Sequence, residues 1–374
     1  MLLEVNVKSR LNMRRQHDNF RKIIKPDRNE LRSNTTIRPG NTSKLTDREK
    51  AIDRIKERRQ NITHVRNANT QNTLNNEEEF MKYSNLQNLI ARYESNKINY
   101  RKLKDNCEFN LVNTNEVDVS VIIPVKGRED FNEPLVRHLI DAMSFFREKT
   151  YSITFVEHSE APTHKSLCQG KTNHIWIKNE KGGFFNKCLA MNVGALFSNK
   201  AKYYLFHDID LLFNKHFFSD IFKNFKQGSV LQAFAGRRVV VLSHGLTTLI
   251  VNNKIKIEDI KPGDSASPYC KPGAPGGSIF MGVESFYKLG GFDAEFFHSY
   301  SCEDAFFYHK AETITGISGC NDPIIDVFHM DHPRTLGKDN PDSRIQHEIH
   351  NGFKHMNIQD KINFIQHISN NVNI

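Results

Sequence analysis

Val117-Asp118-Val119-Ser120-Val121-Ile122-Ile123-Pro124-Val125 is the stretch on which the fold turns. It is short, apolar and β-branched, and it runs into Lys126-Gly127-Arg128-Glu129-Asp130. Such a run reads as a strand buried on both faces that ends in a polar loop. Downstream, Leu135, Val136, Leu139, Ile140, Met143 and Phe146 trace one face of a helix. Residues 151–156 read as a second strand and 174–177 as a third. Residues 189–197 read as a short helix, and 203–206 as a fourth strand running into His207-Asp208-Ile209-Asp210. Alternating strands and helices predict an α/β domain with a mostly parallel, Rossmann-like sheet flanked by helices. In such sheets ligands bind beyond the carboxyl ends of the strands, so the loops after Ile123 and Phe206 are the first candidates.

Outside that domain the character changes. The chain has 374 residues, 38% hydrophobic, with a mean hydropathy of −0.57, 27 Phe and one Trp. Its net charge of +9 is uneven: residues 1–110 hold 24 Lys and Arg against 14 Asp and Glu, and the remainder holds 28 against 29. The basic region suits a solvated helical face, self-association or an anionic partner such as nucleic acid. Residues 1–45 are polar and Asn-rich, with partly disordered character expected. Helices are predicted over 46–59, where Thr46 and Glu49 have capping-box spacing, and over 77–103. Residues 106–115 read as a linker. The expected divisions are a basic, mainly helical region over 1–115, the α/β domain over 116–357, and a helical tail over 358–374. No run approaches the ~20 apolar residues of a membrane span. The start lacks a secretory h-region and the six Cys form no CxxC pair, so a cytoplasmic location is expected, with peripheral membrane association still open.

Several residues carry chemistry. Asp208 and Asp210 lie two apart at a strand end, where they can share a divalent cation and a sugar diphosphate. An Asx-capped turn is the plainer reading. Glu303-Asp304 follows a turn-rich segment. One carboxylate there can take a proton from an acceptor hydroxyl while its neighbour holds the acceptor, and both also suit a helix first turn. Gly276-Gly277 allows close approach of backbone to a ligand. His329 and His332 have a spacing that can place imidazole on a metal of borderline softness. Lys126 and Arg128 can meet a nucleotide diphosphate. His347, His350 and His355 read as solvated.

Taken together, these motifs resemble the β-1,4-galactosyltransferase family and its GT-A relatives, including bacterial chondroitin-polymerase-like transferases. The resemblance rests on Ile122-Ile123-Pro124-Val125-Lys126-Gly127-Arg128-Glu129, on Phe185-Asn186-Lys187-Cys188 with Asn192-Val193-Gly194, and on Asp208-Ile209-Asp210-Leu211. It continues with Gly276-Gly277, Tyr300-Ser301-Cys302-Glu303-Asp304-Ala305 and His329-Met330-Asp331-His332. The resemblance implies a GT-A fold and an inverting transfer from a UDP-sugar, hexose or N-acetylhexosamine, to a glycan or glycoconjugate hydroxyl. It implies that Pro124, Lys126, Arg128, Phe185, Lys187 and Asp208 line the donor pocket. Asp210, His332 and His329 would hold Mn²⁺, with Mg²⁺ as the other candidate. Asp304 would be the catalytic base and Glu303 would position the acceptor, with Gly276, Gly277 and the aromatic platform Tyr300. The family's paired Gly before the acidic residues is Ser301-Cys302 here and its third acid is Ala305, so the acceptor pocket differs in shape. The missing membrane anchor implies a bacterial- or viral-type soluble enzyme. Residues 333–344 are expected to close over the donor as a lid. Two other readings stay open: a retaining transferase of the polypeptide N-acetylgalactosaminyltransferase type, and a non-catalytic scaffold or nucleic-acid-binding protein acting through the basic region.

Overall fold

The computed structural model describes Tyr83 and residues 85–372, except 113–114, 169, 225–229, 233–237, 261–269, 273–275, 300, 316–325 and 334–341. The helix expected over 46–59, the platform residue Tyr300 and most of the expected lid lie outside these residues. In chain order the elements are α1 (Leu86–Ser95), α2 (Tyr100–Lys104), β1 (Cys107–Asn110), β2 (Val117–Val125), α3 (Asn132–Phe145) and β3 (Tyr151–Ser159). Then come α4 (Lys165–Cys168), β4 (Asn173–Lys178), α5 (Lys187–Phe197), β5 (Ala201–His207), β6 (Leu211–Phe213) and α6 (Phe217–Asn224). They are followed by β7 (Val230–Gln232), β8 (Arg238–Val241), α7 (His244–Val251), β9 (Cys270–Pro272), β10 (Ser278–Gly282) and α8 (Val283–Lys288). The last are α9 (Glu303–Thr315), β11 (Asp326–His329), α10 (Ser343–His355) and α11 (Ile358–Val372).

A seven-stranded sheet has the order β1-β4-β3-β2-β5-β10-β7. β4, β3, β2 and β5 run parallel. β1, β10 and β7 are antiparallel to their neighbours. The sheet is thus α/β and parallel at its centre, as β2 foretells. Side chains alternate across β2. Val119, Val121, Ile123 and Val125 pack in one cluster with Leu135 and Leu139 of α3. Ile122 packs on the other face with Val156, Met191 and Val193. Gly194 lets α5 approach closely there, because a Cβ would overlap Ile122 and Val156. A second, four-stranded sheet has the order β6-β11-β8-β9. Three residues separate its first strand from β5, so the chain passes between the two sheets through 208–210.

Four expectations are corrected. The helix predicted over 77–103 is two helices in its described part. Asn96 closes α1, and Asn99 opens α2 by accepting Lys102 N on its side chain, a cap that Asn favours over helix interior. The stretch read as a linker forms β1, an edge strand in register Cys107↔Ile177 to Asn110↔His174. Ile140 is 48% exposed, and the buried face of α3 is Leu135, Val136, Leu139 and Ala142. His350 is half-buried and stacked on His309 at 5.3 Å rather than solvated. Residues 1–45, where partly disordered character is expected, lie outside the described residues. Tyr93 and Tyr100 share a cluster with Phe296, Phe353 and the α11 residues Phe364 and Ile368. No described helix is long and apolar enough to cross a membrane.

β3 runs past its expected end to Ser159, and the extra residues organise the loops above the sheet. Glu157 is fully buried and accepts from Thr163 N at 2.9 Å, His164 N at 3.0 Å, Ser159 Oγ at 2.8 Å and His174 Nε2 at 2.9 Å. Burial alone would raise its carboxyl, but the hydrogen bonds from His174, Ser159, His164 and Thr163 outweigh burial and hold it at about 2. The His164 ring in turn meets the Gly127 carbonyl at 3.0 Å, which fixes the loop after β2. Removing the charge leaves buried donors facing an amide. Glu157→Gln should therefore lose about 2–4 kcal/mol in urea denaturation at neutral pH. Because the folded pKa lies below the ordinary value of ~4.3, the stabilisation is present above that value. It should vanish as pH falls towards 2, so the wild-type and variant stability curves should converge in acid.

Candidate active site

The turn after β5 gathers the site. β6 pairs antiparallel with β11 in register His329↔Leu211. Met330 N donates to Asp210 O at 2.8 Å. This pairing brings His329 and His332 to the Asp210 side chain. His332 Nε2 stands 2.9 Å, and His329 Nε2 3.8 Å, from Asp210 Oδ2. One ligand atom from each of the three residues lies within 4.8 Å of the others.

His332 is placed to ligate a cation. Its Nδ1 donates to the Pro333 carbonyl at 3.0 Å, which leaves Nε2 as the ring nitrogen that faces Asp210, 2.9 Å from its carboxylate. A carboxylate and two imidazoles form a donor set that fits a divalent transition metal. Asp210 stays ionised for the purpose. Burial would raise its carboxyl, but the His332 and His329 imidazoles and the Arg128 guanidinium outweigh burial and hold it well below the usual range.

Arg128 forms an ion pair with Asp210 Oδ2. Its backbone is left-handed, φ 64, following Gly127 at φ 66. A non-glycine residue rarely adopts that conformation, and here it turns the guanidinium back over β5. Lys126 donates to Gly183 O at 2.6 Å and so ties the loop after β4 to the end of β2. Pro124 is buried inside β2, paired with Val156. Phe185 is half-buried, its ring 6.4 Å from that of His158.

A second group of charges lies on the other side of Asp208. Lys187 opens α5, whose N-cap Asn186 accepts Leu189 N at 2.8 Å. Its ammonium sits 3.0 Å from Asp208, 3.2 Å from Asp304 and 3.8 Å from Glu303. Burial works against that charge, but the three carboxylates outweigh burial and push its pKa well above normal. Glu303 and Asp304 are the first two residues of α9. Burial pushes the Asp304 carboxyl up to about 7, with Lys187 opposing and Glu303 and Asp208 adding to the rise. Burial also raises Asp208. Gly276 has φ +142, and a Cβ on it would overlap the Asp304 carboxylate. Gly277 O accepts Asp208 N at 2.7 Å.

The structure thus brings together Arg128, Lys187, Asp208, Asp210, Gly276, Gly277, Glu303, Asp304, His329 and His332. Sequence reasoning passed over two residues of this neighbourhood, Glu157 and His158. Both lie at the carboxyl end of a parallel strand, and that position was the available signal.

No protein-family model matches the chain, and no curated protein matches it. Solved structures resemble it weakly. A Drosophila β1,4-galactosyltransferase 7 mutant in complex with manganese, UDP-Gal and xylobiose is 14% identical at a TM-score of 0.35, over 60% of this chain and 74% of that one. TarS from S. aureus is 16% identical at 0.35, over 57% and 60%. A mannosyltransferase from Pyrobaculum calidifontis in complex with GDP-Man and Mn²⁺ is 12% identical at 0.36, over 76% and 84%. At such scores no residue role is transferred from them.

Two outcomes follow from this geometry. His332→Ala removes one of three ligand atoms, so Mn²⁺ affinity measured by calorimetry should fall about 10- to 100-fold while the thermal midpoint of the metal-free protein stays within a few degrees. Gly276→Ala should displace Asp304 without touching the metal group. Mn²⁺ affinity should then be unchanged, and a drop equal to that of His332→Ala would show that the two halves are not separate.

Proposed function

We propose that the chain is a metal-dependent, inverting glycosyltransferase that moves a sugar from a UDP-sugar to a hydroxyl of a glycan or glycoconjugate. One observation carries the reading. A three-ligand metal group and a buried carboxyl cluster meet at a single turn, 208–210, beyond the carboxyl end of a parallel strand.

Asp210, His329 and His332 would hold the metal, and two imidazoles in the set favour Mn²⁺ over Mg²⁺. When bound, the metal supplies charge neutralisation for a leaving diphosphate. Arg128 and Lys126 add cations along the same edge. Asp208 lies between the two groups and contacts the donor sugar. Asp304 accepts the proton of the acceptor hydroxyl as that oxygen bonds to the anomeric carbon and the bond to the diphosphate oxygen breaks. Its raised pKa makes it a better base than an ordinary carboxylate. Lys187 holds Asp304 and Asp208 at one point and limits their mutual repulsion. Glu303 positions the acceptor, and Gly276-Gly277 let backbone approach it.

The test is binding and slow hydrolysis of a panel of nucleotide sugars with Mn²⁺ and with EDTA. One donor should be bound or turned over only with metal. Asp304→Asn should keep that donor's affinity and lose about 10²–10⁴-fold in turnover. Wild-type turnover should fall as pH drops below about 7, because Asp304 then carries a proton. Donor binding that ignores EDTA, or full turnover by Asp304→Asn, would sink the assignment. Retention at the product's anomeric centre, read by proton NMR, would make the enzyme a retaining transferase instead.

A further inference from the structure

Three side chains converge on one oxygen. Asp210 Oδ2 faces His332 Nε2 at 2.9 Å and His329 Nε2 at 3.8 Å, and the same atom pairs with the Arg128 guanidinium. The oxygen that a metal would take together with the two imidazoles is therefore the oxygen that Arg128 holds. A divalent ion ligated there, about 2 Å from the oxygen, would stand against the guanidinium. Two cations that close repel each other strongly in a cleft shielded from bulk water. Arg128 and the metal are thus alternatives at Asp210, not partners.

One of the two residues is held and the other has room to turn. Asp210 is fixed through its carbonyl, which accepts Met330 N at 2.8 Å. The Arg128 backbone is fixed as well. Its carbonyl accepts Phe131 N at 3.0 Å, and the carbonyl of the preceding Gly127 meets the His164 ring at 3.0 Å. The freedom lies in the Arg128 side chain, which is 35% exposed against 7% for Asp210. A buried carboxylate left without a counter-charge is costly. Arg128 supplies that charge from a position that it can leave.

Given the metal group proposed above, we infer that Arg128 is a built-in competitor for the metal position on Asp210, displaced by the ion and handed on to the diphosphate that the ion holds. The ion must take Oδ2 from a resident cation, so Arg128 lowers the affinity for metal alone. A diphosphate receives the freed guanidinium, so it lowers that cost. By reciprocity, metal and nucleotide each raise the other's affinity by more than their direct contact would.

The experiment is calorimetry on the full chain with Arg128→Met, which keeps an unbranched stem and removes the charge. Mn²⁺ alone should bind about 5- to 150-fold tighter than to wild type, the usual span of a coupling between sites. UDP in saturating Mn²⁺ should bind about tenfold weaker, because a charge-assisted contact to phosphate is lost. Damage to the fold would weaken both ligands, so the opposite signs are the signature. In EDTA the thermal midpoint should fall below that of wild type, and saturating Mn²⁺ should close the deficit. The gain in Mn²⁺ affinity should persist in about 0.5 M KCl, where a merely distant charge would be screened. Arg128→Gln should shift both affinities in the same directions and serves if the Met variant does not fold. Unchanged or weaker Mn²⁺ binding overturns the inference, as does a gain that disappears in salt. Unaltered UDP binding overturns the transfer to diphosphate. Failure of wild type to bind Mn²⁺ at all would instead remove the metal reading itself, and the inference with it.

Discussion

The pairing of β6 with β11 is the constraint on which the site depends. Three residues separate β5 from β6, so the chain must leave one sheet and enter the other within 208–210. A backbone hydrogen bond from Met330 to the Asp210 carbonyl closes the second sheet directly onto that turn. The meeting of Asp210 with His329 and His332 follows from this register. A slip of one residue would send His329 to the opposite face and leave Asp210 with a single imidazole. His207 supports the turn from below. Its ring spans from Ser278 Oγ at 2.9 Å to Leu211 O at 3.0 Å, and burial pushes its pKa down to about 4, so it is a neutral strut and not a fourth charge.

The electrostatics divide the carboxylates by role. Asp208, Asp210, Glu303 and Asp304 crowd one cleft, with side chains no more than 29% exposed. Left alone, such a group would repel itself and gather protons. The His332 and His329 imidazoles and Arg128 draw Asp210 down, so it stays ionised. Asp304 has only Lys187, shared with two competitors, and burial lifts it to about 7. Opposite shifts within one site are a mark of divided labour, with one carboxyl always charged and another able to take a proton near neutral pH. The same logic explains why Lys187 lies under the cluster. Without a cation there, Asp208 and Asp304 would have to be held together against both desolvation and each other.

Much of this was legible in the residues. β2 declared a buried parallel strand because both its faces are apolar, and the loops at the carboxyl ends of β2 and β5 did prove to hold Arg128 and Asp210. The spacing of His329 and His332 also had a physical reading, since a strand end followed by a short turn returns the second ring to the first. Other features were not legible. β1 is four residues, Cys-Glu-Phe-Asn, half exposed on an edge, and only its partner β4 gives it a reason to be extended. Ile140 has helical spacing with the apolar face yet points outward, because the α3 stripe is narrower than the run of apolar letters. The Glu157 network could not be seen at all, since it depends on which loop side chains fold back over the end of β3.

The segment Phe185-Asn186-Lys187 ties the end of β3 to the carboxyl cluster. Its three side chains serve three places at once. Phe185 lies beside His158 at the end of β3. Asn186 caps α5, with its own side chain also donating to Ala294 O at 3.1 Å. Lys187 holds the carboxylates of β5's turn and α9. The helix behind them is fixed: Gly194 presses it onto β2, and Asn192 clamps it to Phe292 through both a donated and an accepted hydrogen bond. A fixed helix N-terminus therefore sets the distance between the Phe185 ring and the Lys187 ammonium beside Asp304. With Asn186 buried and doubly bonded, neither neighbour can shift without moving the other. On the proposed reading, Lys187 and Asp304 are in place before a donor binds, which is the preorganisation that transfer of a sugar between two bound partners requires.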